Sequence, residues 1–362
     1  TCILLTERRD ATRQNVFEKP PEKVVLLSRG WRFLTNIFPS GLTDGLKIMY
    51  HINYRECFDG FLTSVKLTTN REGAAMNIAV TTDSSSGILA VEAEKMGVGF
   101  LLIPIIIDGE TYYEGVNITP ADVYAALESD KRITTSQPSP QSLRDLWDGL
   151  LDTGCEKILH LPITSALSSS YATAAALSKE YDGRVRVVNN NRISVPLREA
   201  VKSALRMVKN GMNADEIADR LERDGENYSV YITVDTLEYL QKSGRISAFT
   251  AQMGKLFGIK PVLSIRKGVI SLYSKQRGMK RSKKEMFRSL ADDVKTRFAG
   301  LDKNHMTVCV AGTCVDKKEI AEIKDTLSEM FPGRPVCYDE LPACIGCHTG
   351  GGAVGIGVCF DD

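Results

Sequence analysis

No stretch of this 362-residue chain is long and apolar enough to cross a membrane. The longest apolar run, Val98 to Ile107, has ten residues and contains Pro104, whereas a spanning helix needs about 20. A secretory signal is not evident either, since Cys2-Ile3-Leu4-Leu5 is soon followed by Glu7, Arg8, Arg9 and Asp10. An excess of one charge is missing: 46 Lys and Arg stand against 45 Asp and Glu, which argues against a dedicated nucleic-acid binder. Nine cysteines, an odd number scattered over a long chain, do not make a disulfide framework and suit a reducing compartment. The expected location is therefore the cytoplasm. No Gly-x-x-x-x-Gly-Lys-Ser/Thr loop occurs, and Gly350-Gly351-Gly352 lacks the lysine. The chain is thus not expected to bind ATP in that manner.

What is present is a two-part α/β pattern. Residues 1–75 mix charge clusters, Pro20-Pro21 and short apolar pieces such as Val24 to Leu27 without a sustained period. They read as an extension, with Met76 as the functional start of the domain. From there strand-like runs (Asn77–Thr81, Gly99–Ile107, Lys157–Leu161, Val185–Val188) alternate with helical ones (Ala121–Glu128, Gln141–Leu150, Ser170–Glu180, Leu197–Asn210). Such alternation predicts a parallel sheet covered by helices on both faces. The second half reads differently. A strand over Tyr228–Val234 and a helix over Thr236–Lys242 precede a hairpin, Pro261–Ile265 and Val269–Tyr273 around Arg266-Lys267-Gly268. Helices over Lys284–Phe298 and Lys317–Met330 alternate with strands over Met306–Ala311, Val336–Glu340 and Ala353–Phe360. The expected fold is two α/β domains, the N-terminal one (76–225) with a parallel sheet and the C-terminal one (226–362) with a mixed sheet.

Four clusters of small polar residues fall near the ends of the expected strands: Thr81 to Ser86, Thr134 to Pro138, Thr164 to Ser170, and His348 to Gly352. Ligands bind at the carboxyl ends of strands in open α/β sheets, and hydroxyls beside a helix N-terminus suit an anion. Helix capping alone accounts for any one cluster; several in one chain point to a binding site.

Seven segments occur in the order characteristic of one family: Asn77 to Ser85, Thr135 to Ser139, Ile163 to Ser168, Val234 to Ser247, Gly258 to Leu263, Arg277 to Lys280 and His348 to Gly350. Through them the chain resembles the DegV family over about residues 76–360. The resemblance implies two α/β domains enclosing one long-chain fatty acid in a pocket between them. It further implies a carrier rather than an enzyme, with no catalytic residue, metal or cofactor of its own. Such a carrier presents the carboxylate to a separate ATP-dependent kinase subunit, which makes the acyl phosphate used in phospholipid metabolism. By position, Thr135, Ser136, Ser168 and His348 resemble the carboxylate-binding residues. Ser169, Thr349, Asp83 and Ser84 are secondary head-group candidates. Arg245 resembles the arginine that meets the kinase subunit, with Arg277 and Lys280 helping. Ser169 stands where the family usually has Gly, and Gly351 where it often has Pro. The extra hydroxyl would crowd or supplement the head group, and the lost Pro would loosen the loop. The chemistry is consistent: about 14 methylenes of a palmitate-sized tail, at about 0.8 kcal/mol each, supply most of the affinity. Neutral hydroxyls then need only orient the carboxylate.

Other readings use the same residues. Cys344-Ile345-Gly346-Cys347-His348 fits covalent haem attachment, or a zinc site with Cys337, or two free thiols in a loop. A serine hydrolase acting on acyl esters would use Ser168 with His348 as base, although no Gly-x-Ser-x-Gly elbow surrounds Ser168. The cations Lys275, Arg277, Lys280, Arg281, Lys283 and Lys284 lie within ten residues. They fit a nucleic-acid site, a solvated face, docking to a kinase partner, or nonspecific anion contact, and transient contact of the protein with a membrane surface stays open. Arg245 on its own reads equally as a helix-terminal salt bridge.

Overall fold

The computed structural model describes residues 76–247 and 258–361, so the reading of residues 1–75 lies outside the described residues. The N-terminal domain begins with β1 (Ile78–Asp83), buried along its whole length, followed by α1 (Ala90–Met96), β2 (Gly99–Leu101), β3 (Ile105–Ile107) and β4 (Glu110–Tyr112). Next come α2 (Pro120–Glu128), β5 (Ile133–Thr135), α3 (Pro140–Asp152), β6 (Lys157–Leu161), α4 (Ser170–Leu177), β7 (Val185–Val187), α5 (Val195–Lys209) and α6 (Ala214–Arg223). Four of these strands form a parallel sheet in the order β2-β1-β6-β7. Alternation along β1 divides its side chains between two cores. Ile78 and Val80 pack under α5 and α6 with Val201 and Ile217. Ala79 packs on the opposite face with Leu146 and Trp147 of α3.

The expected strand over Gly99–Ile107 is in fact two. Pro104 has no N–H to donate, and the chain leaves the parallel sheet after Leu101. Ile105–Ile107 then pairs antiparallel with β4 and β5 in a separate three-stranded sheet. Helices α1 and α6 were not expected, although Asn213 and Glu216 form a capping box at the start of α6.

The C-terminal domain contains β8 (Tyr228–Thr233), α7 (Glu238–Lys242), β9 (Ile259–Arg266), β10 (Val269–Arg277), α8 (Met279–Lys295), β11 (Met306–Gly312), α9 (Lys317–Met330), β12 (Val336–Glu340), α10 (Ala343–Thr349) and β13 (Val354–Phe360). Its six strands form a mixed sheet in the order β10-β9-β8-β13-β11-β12, with β11 and β12 parallel. The hairpin forms as expected, with Val269 opposite Arg266. Helix α8 begins at Met279, five residues before the expected Lys284, so the basic run straddles the end of β10 and the first turns of α8. Tyr231, Met286, Leu290, Val308, Ile323 and Ile356 fill the core between the sheet and helices α8 and α9. The other sheet face meets the N-terminal domain, where Tyr228, Ile265 and Cys359 pack with Ile163 and Ile193.

Polar ties lock this junction. Arg192, 1% exposed, pairs with Asp361 and donates to the Asp224 carbonyl at 2.9 Å. Arg198 bridges Glu92 and Asp339, each at 2.9 Å. Gly268 in the hairpin turn has φ +72°, and a Cβ there would sit 1.9 Å from Thr164 Oγ1. The turn therefore rests directly on the loop after β6. None of the helices among the described residues is long and apolar enough to cross a membrane.

Candidate binding site

A cavity of about 510 Å³ opens where these elements converge. The N-terminal domain contributes Ser85 after β1, Thr135 to Gln137 at the end of β5, the Ile163 and Ser165 to Ser169 loop after β6, and Ile193. From the C-terminal half come Leu240, Arg245, Ile270, Cys344, Ile345, His348 and Thr349. Three of the four expected clusters thus meet here, and the first contributes Ser85.

The cluster around His348 differs from its expected setting. It ends a seven-residue helix, α10, rather than standing beside a strand, and its two cysteines are helical rather than in a loop. Helix α10 is anchored to the N-terminal domain. Ala343, Cys344 and Cys347 pack with Ile105 and Val123, and Ala343 N–H donates to Glu114 at 2.8 Å. Gly346 is required for this fit, because a Cβ would lie 2.3 Å from the Tyr124 hydroxyl. The loop after α10 is held by Thr313, whose hydroxyl donates to the Gly350 carbonyl at 2.6 Å and accepts from Ala353 N–H at 2.9 Å.

The polar wall has a defined electrostatic character. His348 Nε2 shares a 2.8 Å hydrogen bond with Thr135 Oγ1, while its Nδ1 is buried without a hydrogen-bond partner. Burial, aided by the nearby Arg245 guanidinium, pushes its pKa down to about 4. The imidazole is therefore neutral at pH 7. Ser136 hydroxyl donates to the Gln137 carbonyl at 3.1 Å. Ser168 Oγ accepts from Ser170 N–H at 3.2 Å and shares a 2.9 Å bond with the Ser170 hydroxyl. Ser169 and Thr349 also line the cavity. The structure shows no bond between Ser168 and His348: Ser168 is engaged with Ser170 and His348 Nε2 with Thr135.

Two secondary candidates lie behind the wall, not on it. Asp83, 1% exposed, accepts from Ser85 N–H at 3.0 Å and from Ile163 N–H at 2.9 Å. Burial raises its pKa despite these bonds. It ties the end of β1 to the loop after β6 and so sets the spacing of the wall. Ser84 Oγ accepts from Ile103 N–H at 3.0 Å and approaches Cys344 Sγ at 3.6 Å. Sequence reasoning did not single out Ser85, Ser165 or Cys344 as wall residues. Ser85 belonged to a recognised cluster, but the register that turns it inward is a tertiary property.

Arg245 follows the C-terminus of α7, where its guanidinium donates to the Ser243 carbonyl. It closes off the helix end through a hydrogen bond rather than the salt bridge the sequence offered, and its side chain forms part of the cavity wall. Arg277 and Lys280 are exposed and do not line this cavity. Cys344 and Cys347 are free, buried thiols. Burial raises the first well above its usual value and pushes the second up to about 12. Among the described residues, no group of three or more His, Cys, Asp or Glu is arranged to hold a metal ion.

A second, inner chamber of about 70 Å³ shares Ile193, Leu240, Ile270, Ile345 and Thr349 with the outer cavity. The rest of its wall is almost wholly apolar, including Val195, Tyr228, Val230, Ile232, Leu263, Ile265 and Gly355. The two cavities adjoin at these shared residues, the outer one carrying the hydroxyls and the inner one an apolar lining.

Comparisons with known proteins agree with the two-domain α/β fold. Residues 77–361 match the DegV family, described as an uncharacterised protein family. A DegV domain-containing protein of Streptococcus pneumoniae is 30% identical over 285 residues, covering 78% of this chain and 98% of its own length. Among solved structures, one described as fatty acid binding of a DegV family protein from Thermus thermophilus is similar with a TM-score of 0.71 and 26% identity. It covers 78% of this chain and 99% of the other. A fatty acid binding DegV family protein from Streptococcus agalactiae gives 0.70 and 29%, with 80% and 100% covered.

Proposed function

The chain belongs to the DegV family, and from that premise we propose that it binds one long-chain fatty acid and presents the carboxylate to a separate ATP-dependent kinase subunit. The observation that carries this reading is a hydroxyl-lined cavity adjoining an apolar one, with Ile193, Leu240, Ile270, Ile345 and Thr349 lining both. Thr135, Ser136 and Ser168 hold the carboxylate, with the neutral His348 fixing Thr135. Ser169 and Thr349 supply further hydroxyls. The acyl tail runs past Ile193, Leu240 and Ile270 into the inner chamber.

The chemistry of the wall suits presentation rather than tight capture. Hydroxyl donors satisfy an anion without the fixed salt bridge that would occupy both oxygens. Burial of methylenes supplies the affinity. One carboxylate oxygen is then left to attack a γ-phosphate delivered by the kinase subunit. Arg245, on the same wall, is placed to meet that incoming charge, and the exposed Arg277 and Lys280 extend the docking surface. The bound acid is the ligand, and the chain needs no cofactor for this role.

Native mass spectrometry of the purified chain tests the proposal. A co-purified fatty acid, displaced by added palmitate, is the expected result. Protein that neither carries nor takes up an acid contradicts it. For presentation, Arg245→Ala is expected to retain acid binding and lose phosphorylation by the kinase subunit; loss of binding instead would place Arg245 in the acid site alone.

A further inference from the structure

Two glycines in β13 lie on the sheet face turned toward the N-terminal domain, and they are glycine for different reasons. At Gly357 a Cβ would come within 2.8 Å of the Ser229 carbonyl and 2.9 Å of Val230 Cγ2, so packing forbids a side chain. At Gly355 nothing lies closer than 3.7 Å, the neighbours being the Ala311 and Tyr231 carbonyls. Its φ is not in the left-handed region. Neither backbone conformation nor an adjacent atom requires glycine at this second position. A glycine inside a central strand costs stability and commonly marks a close approach by a ligand or another backbone.

The space over Gly355 belongs to the inner chamber. Cross-strand pairing places Ala311 of β11 on one side of it and Ile232 of β8 on the other. Ala311 and Ile232 line the same chamber, and none of the three lines the outer cavity. The middle of a six-stranded sheet thus presents a glycine and an alanine side by side to the smaller, apolar cavity. Interiors normally fill such a hollow.

We infer that the Gly355–Ala311 pair is the gauge of this site: it forms the notch that receives the far end of the acyl tail and sets the longest chain the protein accepts. This rests on the fatty-acid reading above. A methyl added at Gly355 fits at ordinary contact distance, 3.7 Å or more from its neighbours, and would take space from the notch, as would a larger side chain at Ala311, which lines the same chamber. Shorter tails, which end before the notch, would be unaffected.

The test measures affinities for unbranched saturated acids of 12, 14, 16 and 18 carbons with the full chain and with Gly355→Ala, Gly355→Val and Ala311→Val, after thermal unfolding confirms that each is folded. The expected result is a graded loss confined to the longer acids. Excluding two methylenes should weaken the 18-carbon acid by about tenfold or more, while the 12-carbon acid stays within about twofold of the parent. Gly355→Ala and Ala311→Val carry the test should Gly355→Val not fold. Equal affinities across the series in folded variants, or an equal loss for every acid, would overturn the inference while leaving the fatty-acid reading intact. A parent chain that binds none of the four acids overturns that reading, and the inference with it.

Discussion

Thr135 Oγ1 and His348 Nε2 share a 2.8 Å hydrogen bond although 213 residues separate them in the chain. That bond joins the three-stranded sheet of the first half to helix α10 of the second, across the cavity wall.

Replacing Thr135 with Val keeps the shape and removes the bond. With Nδ1 already unpartnered, His348 is left with neither ring nitrogen satisfied. The expected cost is about 1–3 kcal/mol of stability, read as a lower denaturant midpoint. Palmitate affinity is expected to fall by about tenfold through loss of one donor. An unchanged midpoint would mean that the bond contributes little.

His348 also reports on its neighbour. Burial holds its pKa down to about 4, with Arg245 acting in the same direction. Arg245→Ala removes that repulsion and should move the His348 titration upward in an NMR experiment, still short of the ordinary 6.5. A downward movement would contradict the placement of the guanidinium beside the ring.

The same shift makes stability depend on pH. Between pH 6.5 and 4 the unfolded chain protonates this histidine and the folded chain does not. His348 therefore destabilises the fold as pH drops through that window. From pH 7 to pH 5 its share is about 2 kcal/mol. Urea unfolding of His348→Gln should show a pH-dependent loss smaller by about that amount than the parent. Parallel profiles for the two proteins would rule out a neutral, buried imidazole.

Gly268→Ala probes the junction of the two domains. The new methyl would meet Thr164 Oγ1 at 1.9 Å on a residue with φ +72°, so the hairpin must lift from the loop that carries Ser168. A loss of about 2–4 kcal/mol is expected from strain and overpacking together. Weaker acid binding should accompany it, whereas Gly300→Ala, with nothing within 4 Å of its Cβ, should change neither. Wild-type stability in Gly268→Ala would show that the contact is not maintained.

Much of the fold was legible because its signals are local. Apolar runs marked β1 and β6, Gly211 marked the end of the helix ending at Lys209, and the Arg266-Lys267-Gly268 turn marked the hairpin. Two short strands escaped: β4 and β5 have three residues each and, unlike the equally short β7, carry no run of Val, Ile or Leu. Helix α10 was hidden because Gly346 lies in its middle, where helix propensity is poor and only the fit against Tyr124 explains it. For the site, residue types were readable and directions were not. Asp83 and Ser85 stand two apart in one polar cluster, yet one ties the wall from behind while the other faces the cavity. Arg245 read as a partner-docking or helix-terminal group, and its half-buried place on the wall depends on where α7 ends. The inner chamber could not be read at all, since a Leu or Ile beside a ligand has the same sequence pattern as one in a core.

The central claim is most directly tested by determining the structure of the chain with palmitate bound. The account predicts the carboxylate within hydrogen-bonding distance of Thr135, Ser136 and Ser168, and the tail passing Ile270 into the chamber over Gly355. A carboxylate at the Gly355 end, or an inner chamber that holds ordered water while the acid lies elsewhere, would contradict it.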